Sequence, residues 1–390
     1  MNTYKLAIFS SILNHHQVGV ADELYRILGE NFSFIELNND NQNKGSTEDF
    51  STRPYLIKAW ESQSYATLAM KIARYSEACI FGGVDSLPYE KERLKNDLLT
   101  LDMDERPLKR GLVNILSKAN IYTLYYYWSN NWKSKPLYKL CCSAFTAKDY
   151  ERLYMYKDKC FKWGYFTRVN YNLSIEKYID SSSQPTIPIM WCGRFLKWKH
   201  PEMPVQMAAK LKSKGYKFHI SIYGDERGAA KYDKIYPTAK LEKLIRNLGV
   251  EDCVSLKGNI PNNEIIKAMQ KSAIFLFTSN CFEGWGAVAN ESMANGCVLI
   301  ASDAVGSAPY LIKDGENGFC FKSECIDSLV QKVEWLFTHP EEMKQMRKKA
   351  FESIVNVWSP SNAVCSLLQL IDDLQNSRKS SIKYGPCSKA

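Results

Sequence analysis

The sequence has few of the features that mark a disulfide-rich or membrane-spanning protein. It contains no C-x2-C pair, and its twelve cysteines are scattered over 390 residues with one vicinal pair, Cys141 and Cys142. This distribution favours reduced thiols over a disulfide framework. No apolar run approaches the length that crosses a bilayer, so an integral membrane protein is not expected. The first apolar run leads into polar residues 14–17 without a small-residue cleavage site, which indicates a first strand and a cytoplasmic protein.

Length and composition are typical of a soluble globular chain with two domains. The 390 residues exceed what one ordinary core requires. Hydrophobic residues make up 45% of the chain and charged residues 24%, which excludes a disordered protein. The net charge of +9 is concentrated between Arg106 and Arg168, where thirteen Lys and Arg accompany three Asp and Glu among many aromatic residues.

Short apolar runs alternate with helical patterns along most of the chain, which predicts parallel sheets with crossover helices. The polar stretch SSSQPTIP separates two such series and indicates a linker. Strands are predicted at 5–12, 32–37, 78–81 and 98–103 in the first series, and at 187–192, 218–223, 254–257, 274–277 and 298–301 in the second. Ligands of such sheets bind beyond the carboxyl ends of the strands, so the chemistry is expected in the loops there.

The predicted domains follow from this division. Residues 1–184 are predicted to form a first Rossmann-like domain, and residues 185–359 a second one. Pro360 breaks the helical pattern, and the helix at 360–376 is expected to pack back on the first domain. Residues 377–390 carry no hydrophobic pattern and are predicted to be a loose tail.

The loop after the strand AIFLFTS is the first candidate site. It leads from Glu283 through glycines to a helical pattern with Glu291, eight positions later. Glycines let backbone amides approach a ligand, and a helix N-terminus binds anions such as phosphate. Ionised carboxylates accept two hydrogen bonds from a diol, so the combination fits a nucleotide sugar. Surface glutamates on an N-capped helix are the alternative, because this spacing alone recurs by chance.

A second element, WCGRFLKWKH, places Arg194 and Lys199 after the first strand of the second series. A nucleoside diphosphate gains negative charge as it leaves a sugar, and fixed cations stabilise that charge in place of a metal. The arginine fork suits phosphate oxygens. Solvated loop cations are the alternative for either residue alone.

Several segments of the second series resemble those of a known family. CGRFLKWKH, IYGDERG, VSLKGNIPNNEI and FEGWGAVANESMANGCVLIAS occur in the order and approximate spacing of the retaining glycosyltransferases of family 4. The resemblance is strong over residues 187–321 and weak over the first half. It implies the GT-B fold, in which two Rossmann-like parallel-sheet domains face each other across a cleft. His200 stands where the family usually has glycine, and Trp285 where phenylalanine is commoner.

The resemblance implies a role for each matching position. Glu283 would hold sugar hydroxyls, Glu291 would bind the ribose diol, and Arg194 and Lys199 would neutralise the diphosphate. The residues that would line the rest of the donor are Tyr223, Gly224, Asn259, Ile260, Gly284, Trp285, Gly286 and Ala287.

The first half is expected to provide the acceptor side. Many relatives have a histidine near the end of a middle strand, but this chain has none between His16 and His200. The strand LLTLDMDER offers carboxylates instead, and we predict Asp102 as the catalytic group, with Asp104 and Glu105 on the acceptor side. A solvated turn explains these acids equally well. Asp102 and Asp104 also form a D-x-D triplet, the metal signature of the other glycosyltransferase fold class, but so short a motif is common by chance.

The loop NHHQVG follows the first strand. In relatives a glycine-containing loop here contacts donor and acceptor, so Gly19 is a candidate for the donor site and His16 for a polar contact on the acceptor side. Capping and packing are the alternatives. The loop lacks G-x-G-x-x-G, which argues against a dinucleotide-dependent oxidoreductase.

The basic aromatic region 106–168 suggests a partner. In LKRGLVNILSKANIY, Leu112, Ile115, Leu116 and Ala119 share one face of a predicted helix that also carries Lys109, Arg110 and Lys118. Such a helix suits the anionic inner face of the cytoplasmic membrane. A core-facing stripe with solvated charges is the alternative. No recognition motif supports nucleic acid.

The predicted function is therefore that of a hexosyltransferase-type enzyme. It would move a sugar from a nucleotide donor, such as a UDP-sugar, to a lipid-linked, polysaccharide or glycoconjugate acceptor with retention, without metal or cofactor. Because both glutamates are assigned to binding, no glycosyl-enzyme intermediate is expected. A nucleotide-sugar epimerase of the same fold and a silent sugar-nucleotide binding module remain open as alternatives.

Overall fold

The two series of apolar runs form two separate parallel sheets. The computed structural model describes residues 5–39, 49–181, 186–227 and 234–390. The chain divides into a first unit, Met1–Arg168 with Trp358–Ala390, and a second unit, Val169–Val357.

The first unit contains a seven-stranded sheet in the order β3-β2-β1-β4-β5-β6-β7, with every pair parallel. Its strands are β1 (Leu6–Ser10), β2 (Phe32–Glu36), β3 (Leu56–Lys58), β4 (Ala78–Gly82), β5 (Thr100–Asp104), β6 (Leu137–Cys141) and β7 (Cys160–Lys162). Its helices are α1 (Val18–Leu28), α2 (Gln63–Tyr75), α3 (Leu87–Lys95), α4 (Lys118–Ser129), α5 (Thr146–Arg152) and α14 (Pro360–Gln375). The central strands β1, β2 and β4 are buried throughout, which explains why most of their residues are apolar.

The second unit contains a six-stranded parallel sheet in the order β10-β9-β8-β11-β12-β13. Its strands are β8 (Ile187–Cys192), β9 (Phe218–Tyr223), β10 (Val254–Gly258), β11 (Ile274–Phe277), β12 (Val298–Ser302) and β13 (Gly318–Phe321). Its helices are α6 (Glu176–Ser181), α7 (Glu202–Ser213), α8 (Thr238–Leu248), α9 (Asn262–Gln270), α10 (Val288–Ala294), α11 (Ala308–Leu311), α12 (Ile326–Thr338) and α13 (Pro340–Asn356).

The break between the units falls at residue 168, not at 184 as the linker pattern predicts. Residues 169–181 belong to the second unit because their side chains and carbonyls pack there. Ile175 is buried against Gly296, and the buried guanidinium of Arg347 donates a hydrogen bond to the Tyr178 carbonyl at 3.4 Å. Residues 182–185 lie outside the described ranges.

The chain returns to the first unit through α14. Its N-cap Ser359 accepts a hydrogen bond from the Asn362 amide, and Pro360 occupies the first turn, where a missing N–H costs nothing. The helix packs against α1, where Ser361 donates a hydrogen bond to Glu23 at 3.0 Å. A Cβ on Gly19 would lie 3.0 Å from Pro360 Cγ, so a glycine allows this close approach.

The prediction of a loose tail after residue 376 is wrong. Cys387 and Ser388 are buried, and the tail pairs antiparallel with the edge strand β7. The Lys162 amide donates to the Ser388 carbonyl at 2.8 Å, and the Cys387 amide donates to the Lys162 carbonyl at 2.7 Å. The tail thus satisfies backbone groups that an edge strand would otherwise expose.

The predicted amphipathic helix around residues 112–119 is also wrong as a single helix. Ser117 is extended, with φ −67° and ψ 142°, and separates a 3-10 turn at Gly111–Leu116 from α4. Its side chain accepts a hydrogen bond from the Asn120 amide, so it acts as the N-cap of α4. In the described ranges no single helix is both long and apolar enough to cross a membrane, and only α13 and α14 counted together meet those criteria.

Candidate active site

The second unit places its predicted site residues at one edge of the sheet. Four adjacent strands, β10, β9, β8 and β11, end there. The residues at or just after those ends are Arg194 and Lys199 after β8, Tyr223 and Gly224 at β9, Asn259 and Ile260 after β10, and Glu283 to Ala287 after β11. This edge is where open parallel sheets bind ligands.

Lys199 and Glu283 are in direct contact. The ammonium Nζ of Lys199 donates to Glu283 Oε2 at 2.6 Å, and Ser279 Oγ donates to the same oxygen at 2.9 Å. The two side chains are 14% and 11% exposed. Since a largely buried charge is stable only when paired, each residue fixes the position of the other.

Two glycines are required by the packing of these loops. Gly224 has φ +116°, and a Cβ there would lie 2.0 Å from the Gly193 carbonyl oxygen. Gly286 has φ +78°, and a Cβ there would lie 2.2 Å from Cζ of Phe277. Both positions therefore exclude other residues.

Trp285 lies beneath the loop. Its side chain is fully buried, and its indole Nε1 donates to Asn290 Oδ1 at 2.7 Å. The indole therefore supports the loop from below, and only the backbone of Trp285 is available to line a donor.

Glu291 is a buried carboxylic acid on α10. The residue is 8% exposed, and within the described ranges its carboxyl group has no hydrogen-bond partner. Burial raises the pKa of Glu291 to about 7. A ligand that donates hydrogen bonds to this carboxylate would favour its ionised form.

The other donor-side candidates are more exposed. Arg194 and Asn259 are exposed, while Ile260 and Tyr223 are half-buried. The structure thus brings Lys199 and Glu283 into contact and places the rest at neighbouring strand ends. Their roles toward a donor stay predictions.

The first unit contains a cavity of about 240 Å³ at the carboxyl ends of β1, β4 and β5. It is lined by Ser10, Ser11, Asn14, His16, Gln17, Gly82, Gly83, Met103, Asp104, Glu105, Cys142 and Tyr165. The three residues predicted for the acceptor side, His16, Asp104 and Glu105, are all among them. Asp102 is not.

Asp102 is the counter-ion of a buried lysine. Lys139 on β6, 1% exposed, donates to Asp102 Oδ2, and Tyr156 donates to the same oxygen at 3.2 Å. Burial alone would lower the pKa of Lys139, but Asp102 and its other neighbours raise it well above the usual value. These contacts give Asp102 a structural role, and its predicted catalytic role remains untested.

Asp104 and Glu105 are held at the cavity by tyrosines. Tyr150 donates to Asp104 Oδ2 at 2.7 Å, and Tyr165 donates to Glu105 Oε1 at 2.8 Å. Lys109 pairs with the second oxygen of Glu105 at 2.8 Å. Asp104 therefore keeps one carboxylate oxygen for a ligand.

His16 is a neutral, packed imidazole. Its ring stacks on Tyr165 with centroids 5.2 Å apart, and burial together with His15 lowers the pKa of His16 to about 3. Its Nδ1 atom has no hydrogen-bond partner among the described residues. Gly19, in contrast, is buried in the first turn of α1 against Pro360, so packing explains the glycine and its donor contact stays a prediction.

Sequence reasoning missed Lys139, Tyr150 and Tyr165. Lys139 carried a usable signal, because it is the single charged residue in the apolar strand LYKLC. A lysine inside a buried strand requires a partner. The tyrosines gave no such signal, since many tyrosines surround them in the sequence.

Comparison with known proteins agrees with this geometry. Residues 181–353 match the family described as Glycosyl transferases group 1. The match covers a little less than half of the chain and falls within the second unit. Trehalose synthase of Pyrococcus horikoshii is 28% identical over 182 residues, which are 46% of this chain and 42% of that protein. The matched segment spans less than half the length of this and of the other curated relatives.

Solved structures resemble the chain over nearly its whole length. A glycosyltransferase from Rickettsia africae is 18% identical with a TM-score of 0.67, and the match covers 96% of this chain and 99% of that one. Anabaena Alr3699/HepE, solved in complex with UDP, is 13% identical with a TM-score of 0.69, and the match covers 96% of this chain and 100% of that one. Such identities show the fold alone, and the fold is GT-B.

The buried carboxyl group of Glu291 predicts a pH-dependent stability. The ordinary glutamate value is 4.5 and the folded value is about 7, so folding favours the neutral acid. That contribution is complete below pH 4.5 and is lost as the pH rises through 7, which costs about 3 kcal/mol at alkaline pH. Glu291→Gln should therefore melt at a higher temperature than wild type at pH 8.5, and the difference between their melting temperatures should be much smaller at pH 5.5. Glu251→Gln, at an exposed site, is the control, and equal differences at both pH values would contradict the prediction.

Proposed function

We propose that this protein transfers a sugar from a nucleotide-diphosphate sugar to an acceptor hydroxyl, with retention of configuration and without a metal. The contact between Lys199 and Glu283 is the observation that carries the proposal. It joins a cation suited to a diphosphate and a carboxylate suited to sugar hydroxyls at the ligand-binding edge of the unit that matches the Glycosyl transferases group 1 family.

Each neighbouring group has a place in this proposal. Lys199 and Arg194 neutralise the diphosphate, and the backbone amides of residues 284–287 contact its oxygens. Glu283 accepts hydrogen bonds from the sugar. Glu291 accepts them from the ribose diol, and the loop with Asn259 and Ile260 lies beside the base. The Anabaena protein, which has a similar fold, was solved in complex with UDP, and this supports a nucleotide as part of the donor.

The chemistry requires no covalent intermediate. Glu283 is engaged by Lys199 and Ser279, and a carboxylate held by two donors is a poor nucleophile. In the proposed reaction the bond from the sugar anomeric carbon to the diphosphate oxygen breaks. The acceptor oxygen then forms its bond on the same face, and its proton passes to the departing diphosphate. Positive charge from Lys199 and Arg194 lowers the barrier to that departure.

Substitution at the donor site tests this proposal. Lys199→Ala should lower turnover about 100-fold, because it removes a charge that stabilises the leaving group. Glu291→Ala should mainly raise the donor KM, about tenfold, because it removes hydrogen bonds to a bound hydroxyl. Release of nucleoside diphosphate from a panel of nucleotide sugars measures both. Lys197→Ala, an exposed lysine on the same turn as Lys199, is the matched control.

The same assay separates the alternatives. Unchanged kinetics in both variants would contradict the site. Conversion of the donor without an acceptor would indicate an epimerase. Binding of the donor without release of nucleoside diphosphate would indicate a silent binding module. Proton NMR of the product reports retention, and activity that is lost on chelation and restored by manganese would contradict metal independence.

We propose that the acceptor sugar binds in the cavity of the first unit. At about 240 Å³ the cavity is smaller than pockets for drug-sized ligands, about 300–1,000 Å³, which fits a single sugar ring. Its lining has two carboxylates, hydroxyls and amides but no lysine or arginine. That chemistry favours an uncharged sugar of a glycan or lipid-linked acceptor over a phosphorylated one.

The acceptor proposal distinguishes Asp104 from Asp102. Asp104→Asn should raise the acceptor KM about tenfold and leave slow donor hydrolysis unchanged, because it removes a charged hydrogen-bond acceptor from the cavity. Asp102→Asn should instead lower the melting temperature, because it leaves Lys139 buried without its counter-ion. Normal kinetics in Asp104→Asn, with lost turnover and normal melting in Asp102→Asn, would restore Asp102 as the catalytic group.

We further propose that the basic aromatic region binds an anionic membrane surface. Seven large apolar side chains are exposed between residues 112 and 128 of this region: Leu112, Val113, Leu116, Ile121, Tyr122, Tyr125 and Trp128. Val113 and Leu116 are 74% and 76% exposed, so a core-facing stripe does not explain them. Lysines and arginines accompany them, and the sequence has no acidic residue between 106 and 148. Apolar side chains among cations match an anionic lipid interface.

Sedimentation with vesicles tests the membrane proposal. The protein should sediment with phosphatidylglycerol vesicles at low salt and less at high salt, because salt screens the attraction. Leu116→Ser with Trp128→Ser, and separately Lys118→Glu, should each weaken binding several-fold. Lys243→Glu, an exposed lysine of the second unit, is the control. Failure of the wild type to sediment at low salt would contradict the proposal.

A further inference from the structure

His200 adopts a left-handed backbone conformation, which favours glycine. It lies between the 3-10 turn Lys197–Lys199 and α7, with φ +50° and ψ +57°. A Cβ carries a steric cost in this region, although histidine enters it more readily than most residues. Contacts of its ring can offset that cost.

The ring makes two such contacts, both with carboxylates. Nδ1 lies 2.9 Å from Glu202 Oε1 on α7, and Nε2 lies 3.0 Å from Glu324 Oε1 in the loop after β13. When both carboxylates are ionised they only accept hydrogen bonds, so a ring that donates to both carries a proton on each nitrogen. Burial alone would lower the pKa of His200, but the two carboxylates outweigh burial and raise it.

The same network reaches the loop that carries Glu283. Asn280 in that loop donates from Nδ2 to Glu324 Oε1 at 3.0 Å. His200 Nε2 contacts the same carboxylate oxygen, so these two nitrogens lie only 3.3 Å apart. Glu324 is itself left-handed, with φ +60°. His200, Asn280 and Glu324 thus connect the loops after β8, β11 and β13.

Backbone contacts transmit this connection to the ion pair. Thr278 Oγ1 donates to the Lys199 carbonyl at 2.7 Å and approaches the His200 carbonyl at 3.1 Å. The Asn280 amide donates to the Trp198 carbonyl at 2.9 Å, and the Glu283 amide donates to the Asn280 carbonyl at 3.1 Å. Both ends of the Lys199–Glu283 contact therefore depend on segments that His200 ties together.

We propose that His200 is a positioning residue whose protonated ring holds Lys199 and Glu283 in their contact by joining these three loops. The proposal rests on the proposed function, because it concerns the same donor site. The charged groups that face the ring are Glu202 and Glu324. Asn280 is neutral, and the ammonium of Lys199 is directed to Glu283. Loss of the ring proton removes one hydrogen bond and leaves the loops less firmly joined.

Two substitutions of His200 test the proposal. His200→Gly suits the left-handed backbone and removes the ring, so it should melt like wild type but lose turnover about tenfold, the worth of one charge-assisted hydrogen bond. Wild-type turnover should fall as the pH rises through the raised histidine pKa, and His200→Gly should not show this fall. His200→Arg keeps a permanent charge and should retain turnover at alkaline pH.

The controls isolate this effect from folding and from other titrating groups. His219→Asn removes a histidine on β9 that contacts Ser255, and it should keep the wild-type pH profile. Glu324→Gln removes one charged partner of the ring with little change of shape and should move the alkaline fall to lower pH, because Glu202 alone then raises the pKa of His200. This result would support the proposal even if His200→Gly proves unstable. Wild-type turnover and an unchanged pH profile in both His200→Gly and Glu324→Gln would overturn the proposal.

Calorimetry with UDP, GDP and ADP separates this proposal from the proposed function. If wild type binds none of them and releases no diphosphate from any donor, the proposed function itself is contradicted. If wild type binds and turns over but His200→Gly behaves identically, only the role of His200 is contradicted.

Discussion

The ion pair of Lys199 and Glu283 is the constraint on which the second unit depends. The two residues are 84 positions apart and follow the neighbouring strands β8 and β11. Their loops must therefore converge at the edge of the sheet to bring Lys199 Nζ within 2.6 Å of Glu283 Oε2. Neither charge is stable there without the other. Gly224 lets the loop after β9 pass against Gly193, and Gly286 lets the loop after β11 pass against Phe277. The glycines of the site are therefore consequences of this convergence as much as openings for a ligand.

The first unit also contains a buried ion pair, but this pair removes a carboxylate from the cavity. Asp102 and Lys139 are register partners on β5 and β6, and their ion pair draws the aspartate away from the cavity. Side chains two residues apart share a strand face, so Asp104 points the same way one step nearer the strand end. Tyr150 accepts a hydrogen bond from Lys139 and donates one to Asp104. The buried lysine thus withdraws one carboxylate from the cavity and orients the other.

Much of the fold was predictable because buried parallel strands are continuous apolar runs, and β8, β9 and β11 have the predicted bounds. The three-residue strands β3 and β7 are too short to show an apolar pattern. The tail pairs with β7 through backbone hydrogen bonds, which the pattern of apolar and polar side chains does not reveal. Within the site, the sequence proposed Lys199 and Glu283 separately, from their places after strands and from the family resemblance, but it did not predict their contact. The contacts of His200 with Glu202 and Glu324 depend on loop geometry, which sequence periodicity does not contain.

Two protonation requirements meet in the second unit. In the proposed function Glu291 is ionised when it accepts hydrogen bonds from a diol, and His200 is protonated when it donates to two carboxylates. Burial raises the pKa of Glu291 to about 7, so rising pH ionises this carboxyl group within the neutral range. Glu202 and Glu324 raise the pKa of His200, so the ring keeps its proton to higher pH than an ordinary histidine. The two proposed roles therefore respond to pH in opposite directions, because rising pH prepares Glu291 for a diol and removes the proton by which His200 joins the loops.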